Sequence, residues 1–228
     1  GIRAVVRSRV LGDVYKRQYI LTEAMKTAAD LPEGSGVAIT MSRTGRNPMF
    51  VYTYDGKPLY NYPHPRFNPG VPEGAPWGEV LIGKLKPTGQ GDCSDAYGIN
   101  SSETASGWGP LLYDVAMEWA SKNGSGLTSD RGSVSRDAYR VWEYYLEKRP
   151  DVESVQLDIR NRGYEKITPD DKSDDCEQAS SVSWARQTNS DPNFGWSAQP
   201  TAYLYRVSGT PTMDALEASG QLLELEQQ

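Results

Sequence analysis

The stretch ETASGWGPLLYDVAMEWASKNG, residues 103–124, decides the fold because it joins a glycine-rich turn to an amphipathic helix. Its apolar residues recur at helical spacing, and they are Leu111, Leu112, Val115, Ala116, Trp119 and Ala120. Asp114 and Glu118 fall on the opposite side, so they are predicted to face solvent. Asn123 and Gly124 then predict the end of the helix.

The turn before this helix has two interpretations. Backbone N–H groups at a helix start have no intrahelical partners and favour negative charge, and Gly107 and Gly109 would let a diphosphate approach them closely. Pro110 lacks an N–H group but suits the first helical turn. Alternatively, the glycines only let Trp108 pack against a sheet where the helix begins.

Strand patterns lie on both sides of this stretch. They cover residues 36–42, 49–56, 79–86, 95–102, 126–130 and 152–158. A second amphipathic helix is predicted over residues 135–149, with Ser135 as its N-cap and Trp142 and Tyr145 facing inward. Gly98 predicts a bulge in its strand. This order predicts an α/β (α+β) protein with a mixed, mostly antiparallel central sheet flanked by helices.

The chain divides into three predicted segments. Residues 1–18 are basic, and DVYKRQ at 13–18 resembles a translated adapter of DNA sequencing libraries, so this segment is predicted to be artefactual or disordered. Residues 19–158 form the predicted main domain. Residues 159–228 are a predicted C-terminal extension packed on or beside it, with Thr210 and Pro211 predicted to start a helix over 212–225.

Composition excludes several classes of function. The net charge of −6 disfavours nucleic-acid binding, which needs clustered Lys and Arg. One histidine, His64, and two cysteines leave little for a metal site or a Ser-His-Asp arrangement, so no metal is expected. No stretch reaches the roughly 18 apolar residues of a membrane span, so no membrane partner is expected either.

Residues 79–158 resemble the GNAT fold of N-acetyltransferases. TASGWG at 104–109 resembles the family's Gln/Arg-x-x-Gly-x-Gly diphosphate loop, and SRDAYRVWEYY at 135–145 resembles its Asn-x-x-Ala-x-x-x-Tyr helix. GWGPLLYDVAMEWA and GLTSDRGSVS are similar to acetyltransferase-like proteins of tailed bacteriophages. The resemblance implies acetyl-CoA as the acyl donor, bound by Ile99, Asn100, Thr104, Ala105, Ser106, Gly107, Trp108, Gly109 and Ser135.

The implied reaction transfers an acetyl group to an amine of a protein or a small molecule. Glu103 is the predicted base, and Tyr144 or Ser135 the predicted hydroxyl donor to the leaving thiolate. Backbone donors near Ile99 and Asn100 would polarise the thioester carbonyl.

The chain also departs from the family pattern. Thr104 stands where the family has Gln or Arg, and Trp142 where it has Tyr. These departures favour the alternative of a non-catalytic phage protein, virion-associated or bound to a host protein, that keeps the fold as a scaffold. An acetyltransferase would be expected in the host cytoplasm, and a scaffold there or in the virion.

Overall fold

A computed structural model describes residues 25–60, 70–85, 95–130, 134–159, 175–176 and 199–224. Within these ranges a nine-stranded mixed sheet packs with three α-helices. The helices are α1 (Gly109–Asn123), α2 (Arg136–Lys148) and α3 (Pro211–Ala218). The strands are β1 (Val37–Thr44), β2 (Asn47–Tyr54), β3 (Lys57–Pro58), β4 (Gly78–Lys84), β5 (Tyr97–Thr104), β6 (Leu127–Thr128), β7 (Glu153–Gln156), β8 (Asp158–Ile159), β9 (Asp175–Cys176), β10 (Tyr203–Arg206) and β11 (Leu222–Glu224).

The strand order of the large sheet is β11-β1-β2-β4-β5-β6-β10-β7, with β3 paired to β2. The β11–β1 and β5–β6 pairs are parallel, and the other pairs of this sheet are antiparallel. Strands β8 and β9 form a separate parallel pair. The α+β class and the mixed, mostly antiparallel sheet predicted from the sequence are thereby confirmed.

Helix α1 lies at the centre of the core. The predicted apolar stripe is buried along its length, apart from Trp119, which is partly buried and meets Phe50 and Tyr97 edge to face. The prediction for its polar side was wrong at two positions, since Glu118 is only 3% exposed and the Asp114 side chain only 18%, whereas Lys122, predicted on the same side, is exposed. Both other helices pack against α1, so its second side is covered as well.

The carboxylate of Glu118 caps helix α3. It accepts the backbone N–H groups of Thr212 and Met213, each at 2.8 Å. The predicted start of α3 at Pro211 is confirmed, but Thr210 makes no side-chain cap and instead donates its hydroxyl to Asp214. A carboxylate at a helix N-terminus satisfies unpaired N–H groups and complements the helix dipole. Glu118 therefore links α1 to the start of α3, where its partner Thr212 lies 94 positions later in the sequence.

Replacing Glu118 with alanine is expected to lower the free energy of unfolding by about 2 kcal/mol, because it leaves two N–H groups without an acceptor. Urea denaturation at neutral pH measures this loss. Glu147→Ala, an exposed residue on α2, is the matched control and should change stability by less than about 0.5 kcal/mol. Equal losses in the two variants would contradict the capping role.

The same carboxyl should make stability depend on pH. Burial raises the pKa of Glu118 above its ordinary value of 4.5, and the hydrogen bonds from Met213 and Thr212 oppose this rise. The folded protein therefore holds the Glu118 proton more tightly than the unfolded chain. This contribution is fully present below pH 4.5 and is lost as pH rises through the folded-state pKa. The stability of the natural protein relative to that of Glu118→Gln, measured by urea denaturation over a series of pH values, should accordingly fall as pH rises above 4.5.

Helix α3 ends earlier than the sequence pattern predicts. The predicted helix over 212–225 stops at Ala218, because Gly220 takes a φ of +70°. The N–H of Gln221 bonds to the Leu216 carbonyl and that of Gly220 to the Glu217 carbonyl, which is a Schellman ending. The chain then enters β11, where Leu222 pairs with Ile39 of β1.

Two strands from the last part of the chain belong to the main sheet. Strand β10 lies between β6 and β7, and β11 extends the opposite edge beside β1. Tyr205 of β10 is fully buried and donates its hydroxyl to the carbonyl of Pro200. None of the helices in the described ranges is long and apolar enough to cross a lipid bilayer.

Candidate functional site

Strands β5 and β6 are parallel, and only two residue pairs join them. Tyr97 pairs with Leu127 and Gly98 with Thr128, and β6 ends there. From Ile99 to Thr104, β5 keeps β4 as its neighbour on one side, while no strand of the described ranges pairs with it on the other. Among the described residues, this leaves one edge of β5 from Ile99 to Thr104 without a partner strand, and it is called the open edge below. Ligands of such sheets bind at the carboxyl ends of parallel strands.

The irregularity of β5 lies at Asn100, and the predicted bulge at Gly98 was wrong. Ser101 pairs with Leu81 and Ile99 with Ile82, so Asn100 is the extra residue. Its side chain covers Gly83, where any Cβ would lie 2.6 Å from the Asn100 amide nitrogen. Ile99 is buried in the core, whereas Asn100 is exposed at the open edge.

A tight turn connects the end of β5 to α1. Ala105 donates its N–H to the Trp77 carbonyl, and its own carbonyl accepts the N–H of Trp108. Gly107 has a φ of +82°, a conformation that favours glycine. Thr104 lies beside Gly109, since a Cβ on that glycine would be 3.1 Å from the threonine hydroxyl. The backbone conformation therefore favours glycine at position 107, and the close approach of the Thr104 hydroxyl favours it at position 109.

The turn is fixed to the rest of the core through Trp108. This side chain is 9% exposed and meets the ring of Tyr52 edge to face at 5.9 Å. The Tyr52 hydroxyl donates to the Trp108 carbonyl at 2.8 Å. Trp108 therefore packs at the helix start, which both interpretations of the glycines allow. Ser106, by contrast, is exposed.

Several N–H groups of the turn remain available. Within the described part of the chain, the N–H groups of Ser106, Gly107 and Gly109 have no protein acceptor. They stand at the start of a 15-residue helix, where the helix dipole adds positive potential. This arrangement can hold an anionic group such as a diphosphate.

The predicted base, Glu103, lies in β5 next to the turn and is exposed. It is directly opposite Glu79 of β4, so two carboxylates share one antiparallel pair position. The preceding residue of the same strand, Ser102, faces the other side of the sheet. Glu103 and the open edge thus lie on the same strand. The described residues include no group of three or more His, Cys, Asp or Glu side chains arranged to hold a metal ion.

The two predicted hydroxyl donors lie on or just before α2. Ser135 is confirmed as the N-cap, because its hydroxyl oxygen accepts the Ala138 N–H at 3.2 Å. Tyr144 is half-buried, with its ring 6.1 Å from that of Tyr145. Among the described residues, no hydrogen bond or ring contact joins either residue to the turn before α1.

Trp142 and Tyr145 both face inward, as predicted, and each is 1% exposed. The Trp142 ring stacks on Tyr205 at 5.1 Å. The Tyr145 hydroxyl donates to Asp114 at 2.8 Å. Burial and the Asp114 carboxylate raise the pKa of Tyr145 well above its ordinary value, so this hydroxyl keeps its proton.

A further hydroxyl pair at the open edge was not predicted. The hydroxyls of Tyr113 on α1 and Ser102 on β5 lie 2.9 Å apart. Burial raises the pKa of Tyr113 to about 12, against the opposing effect of the Ser102 hydrogen bond. The tyrosine is therefore neutral at physiological pH. Tyr113 directly follows Leu111 and Leu112 of the apolar stripe, and no local pattern in the sequence marks it as a site residue.

The chain was compared with models of protein families, with curated protein sequences and with solved structures. No match was found in any of the three. Function must therefore be argued from the site itself.

Proposed function

We propose that this protein is an acyl-CoA-dependent N-acetyltransferase of the GNAT type that acetylates an amine. The observation that carries the proposal is the β5–α1–β6 unit, in which the parallel pairing of β5 and β6 stops after Gly98 and α1 begins at a turn with N–H groups that have no acceptor among the described residues. A ligand with an anionic head group and an extended arm fits these two neighbouring features. The head group would bind at the turn, and the arm would lie along the open edge of β5.

Different parts of this unit would bind different parts of acetyl-CoA. The turn from Thr104 to Gly109 would hold the diphosphate of CoA through its N–H groups. The open edge at Ile99 and Asn100 would face the acyl end with its backbone donors. Acetyl-CoA supplies the activated acetyl group when it is bound.

The acceptor amine must lose a proton, and a side chain near the same edge can accept it. Glu103 is exposed and next to the turn, so its carboxylate can accept a proton from an incoming ammonium group. The amine that results is the nucleophile. The acceptor is an amine of a protein or of a small molecule.

Two observations favour a second candidate, a non-catalytic scaffold that is virion-associated or binds a host protein. Trp142 occupies the position of the family's tyrosine and is buried, and Ser135 is engaged as a helix cap. On this alternative the turn before α1 serves only to place Trp108 in the core.

Thermal unfolding of the full chain with and without millimolar acetyl-CoA separates the two candidates. A ligand that binds only the native state adds RT ln(1 + [L]/Kd), about 2.7 kcal/mol at a hundredfold excess over Kd. We expect a clear upward shift of Tm. Gly107→Asp should abolish the shift, because it places a carboxylate against the phosphate site.

Two further variants control this experiment. Gly45→Asp adds the same charge at another positive-φ glycine, in the β1–β2 turn, and should keep the full shift. Gly107→Asn tests backbone strain without charge, since Asn tolerates positive φ better than most residues. An acetyl-CoA shift that survives in Gly107→Asp, or no shift at all in a cooperatively folded sample, would favour the scaffold.

A further inference from the structure

Lys26 reaches the turn before α1 from a distant part of the sequence. Its backbone N–H donates to the Gly107 carbonyl at 2.9 Å. Its ammonium nitrogen lies 6.0 Å from the centroid of the Trp108 ring. Both contacts are with residues of the turn, so the position of Lys26 relative to that turn is fixed through the backbone.

The present partner of the ammonium group is easily exchanged. Lys26 forms an ion pair with Asp30 at 3.3 Å, and the two side chains are 40% and 36% exposed. Exposed pairs of this kind contribute little to stability. The Asp30 carboxylate also accepts the N–H of Thr27 at 2.8 Å and its hydroxyl at 3.0 Å. Asp30 therefore keeps hydrogen-bond partners when Lys26 turns away.

The turn itself supplies no positive charge from a side chain. Residues 104–109 read TASGWG, and Thr104 is neutral where the related motif has Gln or Arg. Backbone N–H groups can orient a diphosphate, but a cation makes such a contact markedly stronger. Lys26 is the cationic side chain that the described contacts bring to this turn.

We infer that Lys26 binds the phosphate groups of the ligand held by the turn, in place of the cationic or amide side chain absent at position 104. The inference rests on the proposed acyl-CoA site and specifies its phosphate-binding residue. On ligand binding, the ammonium group would exchange Asp30 for a phosphate oxygen. Lys26 would thereby make affinity for the ligand depend on ionic strength.

The test measures Kd calorimetrically for CoA and for inorganic pyrophosphate, each with the full chain. Lys26→Met should weaken binding of both by about tenfold, the value of one charge-assisted hydrogen bond. Lys26→Arg should retain most of the affinity. Lys122→Met, an exposed lysine at the other end of α1, is the matched control and should bind like the natural protein.

Asp30→Asn distinguishes phosphate binding from a purely structural ion pair. This variant removes the competing carboxylate and keeps Lys26, so we expect it to bind pyrophosphate at least as tightly as the natural protein. If the ion pair only stabilised the local fold, Asp30→Asn and Lys26→Met would weaken binding alike, and that result would overturn the inference.

The outcomes separate this inference from the proposed function. Unchanged pyrophosphate affinity in Lys26→Met overturns the role of Lys26 alone. Binding of pyrophosphate without binding of acetyl-CoA by the natural protein overturns the proposed function, and the Lys26 variants then decide the phosphate site by themselves. Binding of neither ligand overturns both.

Discussion

Replacing Trp142 with alanine is expected to lower the free energy of unfolding by about 3–5 kcal/mol, the usual cost of truncating a fully buried aromatic residue. The indole is surrounded by the rings of Tyr113, Tyr145 and Tyr205, at centroid distances of 5.4, 5.9 and 5.1 Å. These rings come from α1, α2 itself and β10, so one cavity would loosen three elements. The expected loss is large because the free energy of unfolding of a typical domain is only about 5–15 kcal/mol.

Urea denaturation, monitored by far-UV circular dichroism instead of tryptophan fluorescence, measures this loss. Trp142→Phe keeps most of the apolar volume and should lose clearly less than Trp142→Ala. Tyr144→Ala, the half-buried residue two positions along α2, serves as the control for a truncated aromatic outside the core. A Trp142→Ala variant no less stable than Tyr144→Ala would contradict the central position of the indole.

The second large effect is expected from Arg149. Its guanidinium donates to both oxygens of Asp114, at 3.0 and 3.2 Å, and the two side chains are only 21% and 18% exposed. Burial raises the pKa of Asp114, while Arg149 and the Tyr145 hydroxyl oppose this rise. Arg149→Met leaves the carboxylate buried without its counter-ion. We expect a loss of about 3 kcal/mol at neutral pH.

This loss should depend on pH in a definite direction. In Arg149→Met the folded-state pKa of Asp114 rises further above its unfolded value, so the penalty grows as pH increases through that pKa and fades below the ordinary value of 3.8. Asp114→Asn introduced together with Arg149→Met should recover most of the stability. Lys148→Met, an exposed neighbour, should change little. An equal loss at acidic and neutral pH would contradict this account.

Local patterns predicted most individual elements correctly. Strands β1, β2, β4 and β5 and helices α1 and α2 lie where alternation or helical spacing places them. The Ser135 cap and the inward direction of Trp142 were also correct. These features depend on residues a few positions apart, which a sequence displays directly.

The errors concern contacts between distant parts of the chain. Glu118 falls on the polar side of α1 by spacing, yet its partners are N–H groups 94 and 95 residues later. The helix predicted over 212–225 has a continuous apolar pattern, and only the positive φ of Gly220 and the pairing of β11 with β1 end it. Periodicity carries no information about such pairings.

The site was predicted in part for the same reason. The turn before α1 is local, and the sequence located it. The open edge of β5 follows from the shortness of β6, and the approach of Lys26 to Gly107 joins residues 81 positions apart (107 − 26). Neither has a local signature. Tyr144 and Ser135 were predicted as hydroxyl donors from the sequence and Tyr113 was not considered, and the contact of Tyr113 with Ser102 is also between separate elements.

The place of β10 between β6 and β7 also bears on how the chain is made. When residues 127–156 leave the ribosome, the two strands that will flank β10 have no common neighbour. They gain one only after residues 203–206 have been synthesised, at least 47 residues later (203 − 156). Until then neither strand has β10 as its neighbour, and unpaired strand edges can pair with other chains. This half of the sheet is therefore completed late in synthesis, and a nascent chain stalled before residue 203 is expected to aggregate more readily than the full chain.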